Sequence, residues 1–377
     1  MVYLDNAATT RVYEELNGLI GYYNREKFFN PSALYGAAAA VAKDLKAARE
    51  NLLRHLGGAD GGLVFTASGT EADNMAFAFK TLKKNSRIVV SAIEHAAVLN
   101  TALAFKQRGY DVVVCPVDRF GRLDLKKFSE TVNAETSFVS IAHMSNETGA
   151  VNDIEKIVKI AKAANPDCVT HSDGVQAFKK IGVDMRRLGV DLYSVSGHKI
   201  HAPKGVGALY FKKGLNPNTF VYGGGQEMNI RSATENIAGI AAFSKAADII
   251  EKKSINTRLL SSLKDYLTEN FDVVINTPDA GEGAAGGNIL SAAFAGVKGE
   301  TLLHALEKHG VIVGTGSACS AKKGAGRIAE ALGLPKKYRD GILRVSVCGE
   351  TTEEDIELLK EKLTREYAGL IKYKIKY

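Results

Sequence analysis

Between residues 63 and 210 the chain alternates short β-branched runs with stretches of helical periodicity, a rhythm that admits little besides parallel strands joined by crossover helices. The runs 63–66, 87–91, 111–117, 137–144, 168–173 and 191–196 are each too short and too apolar for a helix with one wet face. Between them, Val151, Ile154, Ile157, Val158 and Ala161 mark a single apolar helical stripe. From 236 to about 270 the pattern is helical. A second α/β run follows, through 273–277, 288–295, 301–309, 311–314 and 342–348, with a closing helix after Thr351. The predicted class is therefore α/β. Since 377 residues exceed what one hydrophobic core usually supports, we expect a large domain over 14–250 and a smaller α/β domain built from 1–13 and 251–377.

Several classes of function are excluded at once. No uninterrupted apolar run is long enough to span a bilayer, and Met1-Val2-Tyr3-Leu4-Asp5 carries neither a basic leader nor an apolar one, so a cytoplasmic protein is expected. The net charge of +7 comes from lysines and arginines scattered along amphipathic helices, which reads as a solvated surface rather than a nucleic-acid face. The Lys-Tyr tail 371–377 is the most basic stretch, and chain ends tolerate such composition. The glycine-rich stretch 281–287 reads as a loop. The four cysteines show neither a CxxC pair nor a histidine spacing suited to zinc, so no metal site and no disulfide scaffold is expected. Cys115, Cys168 and Cys348 begin or sit in β-rich runs, as small buried hydrophobes do. Cys319 differs: Gly314, Gly316, Ser317, Ser320 and Gly324 around it describe a mobile loop.

Chemistry concentrates at the ends of the predicted strands. The run 191–196 leads straight into Ser196-Gly197-His198-Lys199, where a lysine on a Gly-containing turn can project into a cleft or stand idle in solvent. One crossover upstream, the run 168–173 ends in Asp173, at the sheet edge where open α/β sheets bind ligands. Such a carboxylate can cap the next helix, or can hold a pyridine nitrogen protonated and so make the ring an electron sink. Thr66-Ala67-Ser68-Gly69-Thr70-Glu71 is a strand end, a small-residue turn and a helix start, which supplies either an ordinary cap or free N–H groups for a phosphate. No Gly-Lys-Ser/Thr follows, so it is not a P-loop. Ser196 and His198 could complete the anion cradle, and His95 could lie against a cofactor ring.

Together these stretches resemble the cysteine desulfurases of the fold-type I pyridoxal-phosphate family. The resemblance is carried, in the family's order, by Tyr3-Leu4-Asp5-Asn6-Ala7-Ala8-Thr9-Thr10, Asn30-Pro31-Ser32, Ser68-Gly69-Thr70-Glu71-Ala72-Asp73-Asn74 and Glu94-His95. It continues through Asn146-Glu147-Thr148-Gly149, Ser196-Gly197-His198-Lys199, Gly223-Gly224-Gly225-Gln226-Glu227, Arg231-Ser232-Ala233-Thr234-Glu235-Asn236 and Gly316-Ser317-Ala318-Cys319-Ser320. The set covers nearly the whole chain.

The resemblance implies the fold-type I architecture, with a large mixed, mostly parallel sheet. It also implies pyridoxal 5'-phosphate bound as a Schiff base to Lys199, with Asp173 on the pyridine nitrogen, Gln176 and Asn146 at the ring or its oxygen, and His95 stacked on its face. Gly69, Thr70, Ser196 and His198 would bind the phosphate, and Thr234 the phosphate of the neighbouring subunit in a homodimer. Arg344 would grip the carboxylate of L-cysteine, a task suited to a planar guanidinium. Cys319 would take the sulfur as a persulfide, release alanine, and pass the sulfur to an acceptor such as an iron–sulfur scaffold or a tRNA-thiolating enzyme. The loop 314–326 resembles that of the extended-loop group. The chain departs from common family patterns at Ser320-Ala321-Lys322-Lys323, at Met228 where relatives often have arginine, and in stopping at Tyr377. The alternatives are a selenocysteine lyase, which uses the same cofactor steps, an aminotransferase of this fold, which needs no loop cysteine, and an assembly protein that has lost its cofactor.

Overall fold

The computed structural model describes residues 1–279, 285–315 and 324–373. Residues 316–323 around Cys319, most of the glycine-rich stretch 281–287 and the last four residues lie outside them. In chain order the strands are β1 (Val2–Tyr3), β2 (Gly62–Thr66), β3 (Arg87–Ser91), β4 (Asp111–Cys115), β5 (Thr136–Ser140) and β6 (Val169–Asp173). They continue with β7 (Leu192–Ser196), β8 (Gly207–Phe211), β9 (Val273–Ile275), β10 (Ile289–Phe294), β11 (Val311–Ile312) and β12 (Ile342–Ser346). Seven of them form one sheet in the order β2-β8-β7-β6-β5-β3-β4, parallel throughout except for β8. The expected α/β class, with a large mixed and mostly parallel sheet, is what the chain adopts.

The side-chain alternation of these strands explains why both faces are covered. Leu63, Phe65, Val89, Val139, Tyr193 and Val195 enter one apolar core, while Val64, Ile88, Val90, Phe138 and Leu192 enter another on the opposite face. Helices Gly36–His55, Ile154–Ala164 and Ile237–Ile250 bury residues in the first core, and Gly69–Ala78 and Ala96–Gln107 in the second. The predicted stripe holds from Ile154 to Ala161, with Asp153 capping the Lys156 N–H. Val151 precedes the helix, in an isolated bridge to Met144.

Some boundaries differ. The strand expected at 111–117 ends at Cys115, ahead of Pro116, which has no N–H to give to a ladder. The strand expected at 137–144 stops at Ser140, because beyond it the Ala142 N–H turns to the Glu94 side chain. The helical stretch 236–270 is two helices, Ile237–Ile250 and Arg258–Asn270. Strand β8 was not foreseen. It returns after 197–206, too short a connection for a crossover, and so it runs antiparallel between β2 and β7.

The C-terminal part adds a three-stranded antiparallel sheet, β12-β10-β9, and the parallel pair β1-β11. Leu4 from the N-terminal segment is fully buried in the same core as Leu263, Phe294, Val311, Val345 and Leu363. The segment is tied to β12 by Asn6 Nδ2 donating to the Ser346 carbonyl (3.0 Å) and the Ala7 N–H donating to Ser346 Oγ (2.8 Å). Among the described residues no helix is long and apolar enough to cross a membrane.

Candidate active site

Strands β2, β3, β5, β6 and β7 all point their carboxyl ends at one cavity of about 280 Å³. Gly69, Thr70, His95, Asn146, Asp173, Gln176, Ser196, His198, Lys199 and Arg344 line it, so residues spread over most of the sequence meet in one place. The sheet edge gathers them: each ends a strand of the main sheet or follows one within a short turn, except Arg344, which comes from β12.

At one wall, β2 gives way to the helix Gly69–Ala78, whose N-cap Ser68 accepts from the Glu71 N–H at 3.1 Å. A Cβ on Gly69 would sit 2.7 Å from Val175 Cγ2, so the helix start can approach the β6 exit this closely only without a side chain. Ser196 Oγ is buried and has no hydrogen-bond partner among the described residues. His198 Nδ1 lies 3.1 Å from Thr9 Oγ1, and burial, then the nearby Lys199 and Lys204, push its imidazole down to about 4. A helix start, a hydroxyl without a partner among the described residues and a desolvated imidazole are groups that can receive an anion.

Lys199 ends the 3₁₀ turn Gly197–Lys199 that follows β7, and its ammonium donates to the carbonyls of Ala7 (2.6 Å) and Ala8 (2.7 Å). The buried Asp173 closes β6 and accepts from the Val175 N–H at 2.9 Å. Burial pushes its carboxyl above the usual range, while His95 and Lys199 pull it back. His95 caps the helix Ala96–Gln107 through Nδ1, which accepts from the Ala97 N–H at 3.1 Å. Gln176 donates Nε2 to the Ala7 carbonyl (2.7 Å) and accepts from Lys180 at Oε1 (2.8 Å). Arg344 is buried, donating Nη1 to the Asn146 carbonyl (2.8 Å) and Nη2 to Asp5 Oδ1 (2.7 Å).

The whole-chain comparison decides the family. The model of the class-V aminotransferases matches residues 2–359. A relative from Dictyoglomus turgidum, named cysteine desulfurase IscS, is 35% identical over 97% of this chain and 94% of its own length. The chain belongs to the class-V aminotransferase family, among its cysteine desulfurases. A cysteine desulfurase of Trichormus azollae is 34% identical over 96% of this chain and 91% of its own length. Among solved structures, a NifS-like protein superposes with a TM-score of 0.88 at 31% identity, covering 98% of this chain and all of the other. A structure of SspA in complex with cysteine gives 0.80 at 26% identity, covering 93% of this chain and 100% of that one.

One residue singled out for this desulfurase from its sequence, Thr234, is not part of the cavity wall. Thr234 is exposed and lines a separate depression with Arg231, Glu235 and Asn236, and Cys319 lies outside the described residues. Other groups went unremarked in the sequence. Asp73 lines the cavity with Oδ1 3.7 Å from His171 Nε2, and burial, then Asp173, hold its carboxyl well above the ordinary range. Lys180, half-buried as a residue, is pushed down to about 7 by desolvation of its ammonium and by Lys199 and Arg344. Asp73 stands inside the quoted motif 68–74, so the motif was the signal. Lys180 sits four residues after Gln176, one turn on, and nothing local marks it.

Proposed function

We propose that the protein is a pyridoxal-phosphate-dependent L-cysteine desulfurase that holds the extracted sulfur as a persulfide on Cys319. The observation that carries this reading is the convergence of Lys199, the buried Asp173 and an anion cradle on one cavity. The donor set fits the cofactor. The Gly69 and Thr70 amides, Ser196 and His198 would hold its phosphate, Asp173 its pyridine nitrogen, His95 its ring face, and Gln176 and Asn146 the ring oxygen. When bound, the cofactor supplies an electron sink for the substrate α-carbon.

The chain's own residues do the rest. Arg344 receives the cysteine carboxylate and so fixes which bond of the α-carbon faces Lys199. Lys199 Nζ takes the α-proton, and the Ala7 and Ala8 carbonyls, already its acceptors, hold the resulting ammonium. The Cys319 thiolate attacks the substrate sulfur. As the S–S bond forms, the Cβ–S bond breaks, its electron pair stays with carbon, and a proton completes alanine. Thr234, exposed and away from this cavity, would hold the cofactor phosphate of a second copy of the chain in a homodimer. The persulfide sulfur passes to an iron–sulfur scaffold or a tRNA-thiolating enzyme.

Incubating the holoenzyme with L-cysteine should release alanine and leave one extra sulfur on the protein. No alanine above a cofactor-only control would overturn the assignment.

A second test addresses Asp173. Removing an opposite charge costs a neighbouring base roughly 1–3 pKa units, so the Asp173→Ala variant should slow α-proton removal by about tenfold or more. It should also lose cofactor on dialysis faster than the parent, as read by absorbance. Unchanged proton-removal kinetics would reassign the carboxylate to capping the turn at Val175.

A further inference from the structure

We infer that Asp5 is a positioning residue for substrate: its ion pair with Arg344, closed in by Gly314, sets the guanidinium in the orientation that receives the cysteine carboxylate. This rests on the reading of Arg344 as the carboxylate anchor.

Arg344 is among the largest fully buried side chains of the protein, and a buried guanidinium without a counter-charge is costly. Asp5 supplies that charge at 2.7 Å from Nη2, with the aspartate side chain itself only 16% exposed. A guanidinium carries five N–H donors. Asp5 and the Asn146 carbonyl take one each, on different nitrogens, and Nε has no hydrogen-bond partner among the described residues. The two bonds fix the plane and rotation of the fork while leaving donors for a two-point contact with a carboxylate in the adjoining cavity.

The backbone shows the same purpose from two further directions. Asp5 is held against β12 by a parallel bridge to Ser346, two residues from Arg344. On the other side Gly314 exchanges both backbone hydrogen bonds with Arg344, at 2.9 and 2.6 Å. A Cβ on Gly314 would lie 2.7 Å from Asp5 Oδ1, 3.0 Å from Arg344 Nη2 and 3.2 Å from Nε. The ion pair is therefore packed so closely that residue 314 has room only for hydrogen. A methyl group there would push on both partners at once.

The test compares ligands with and without a carboxylate on the holoenzyme. The affinity for L-alanine is measured by calorimetry, and KM and kcat are measured for cysteine. The rate at which cysteamine, which keeps the amine and thiol and lacks the carboxylate, changes the cofactor absorbance is the control. Loss of one aligned, charge-assisted contact predicts that Asp5→Ala weakens alanine binding and raises the cysteine KM by about tenfold. The cysteine kcat should change far less, and the cysteamine rate should stay at the parental value. Asp5→Asn, whose amide oxygen can still accept from Nη2 without the charge, should recover part of the loss, and Gly314→Ala should behave like Asp5→Ala. If Asp5→Ala does not fold, the other two variants carry the test. Parental alanine affinity in Asp5→Ala, or in Gly314→Ala where Asp5→Ala does not fold, overturns the inference, and so does an equal loss for cysteamine. Arg344→Lys separates the two readings: if it keeps parental alanine affinity, the anchor itself is misassigned, whereas if it alone loses affinity, only the role of Asp5 fails.

Discussion

The Lys199→Ala variant should fold, lack the absorbance of covalently held cofactor, and turn over cysteine roughly 10²–10⁴-fold more slowly than the parent or not at all. Among the described residues Lys199 is the one amine that lines the cavity wall, and no other described group there can both bind an aldehyde and return a base to the α-carbon. Its Nζ is already held at 2.6 and 2.7 Å by two carbonyls, an arrangement that keeps the amine aimed when it is not otherwise engaged. The fold should survive because the side chain is half-buried at the cavity and belongs to none of the apolar cores. Its loss leaves the Ala7 and Ala8 carbonyls beside a cavity into which water can enter. Absorbance after cofactor addition, an alanine assay and a thermal melt check the three parts separately. Parental turnover with an unchanged spectrum would remove Lys199 from the centre of the mechanism.

The main sheet was legible because its signals are local. β-branched runs of five residues fit strands buried on both faces, and β3 was bounded correctly from the run 87–91 alone. The site was legible for a related reason: at a parallel sheet edge, the residue after each strand is brought to the same place, so Asp173, Lys199 and the Gly69-Thr70 turn could be paired before any geometry was known. What the sequence hid is held by backbone atoms or by long-range pairing. The Ala7 and Ala8 carbonyls have no side-chain signature, yet they hold Lys199 from the far end of the chain. Asp5 lay in a quoted motif, but its partner is 339 positions away, and only the fold brings them within 2.7 Å. Strand β8 was missed because its antiparallel pairing with β2 depends on chain order in space rather than on its own composition.

The Cys319→Ala variant should keep its cofactor and its affinity for alanine while losing desulfuration by roughly 10²-fold or more, the order expected when a nucleophile is removed from a working set. Cofactor retention follows because every residue assigned to the cradle lies elsewhere, on the sheet edge. The loss is expected because the three remaining thiols are poor substitutes. Cys168 immediately precedes β6, at the end of the sheet opposite the edge that carries the site, and burial pushes its thiol up to about 12. Cys115 is fully buried at the end of the outermost strand β4, where desolvation also raises its thiol. Attack on sulfur requires thiolate, and both environments suppress it. Cys348 is the strongest competitor, since the sequence placed it in a strand and the structure instead leaves it half-buried two residues past β12. Its N–H donates to Thr351 Oγ1 at 3.1 Å, and Sγ lies 3.9 Å from the same hydroxyl, which ties it to the turn before the helix Glu353–Leu370. Mass spectrometry of the cysteine-treated parent should therefore place the additional sulfur on the peptide that contains Cys319. The decisive contrary result is an alanine variant that still makes alanine at the parental rate and carries its persulfide on Cys348, which would move sulfur capture from Cys319 to the end of β12.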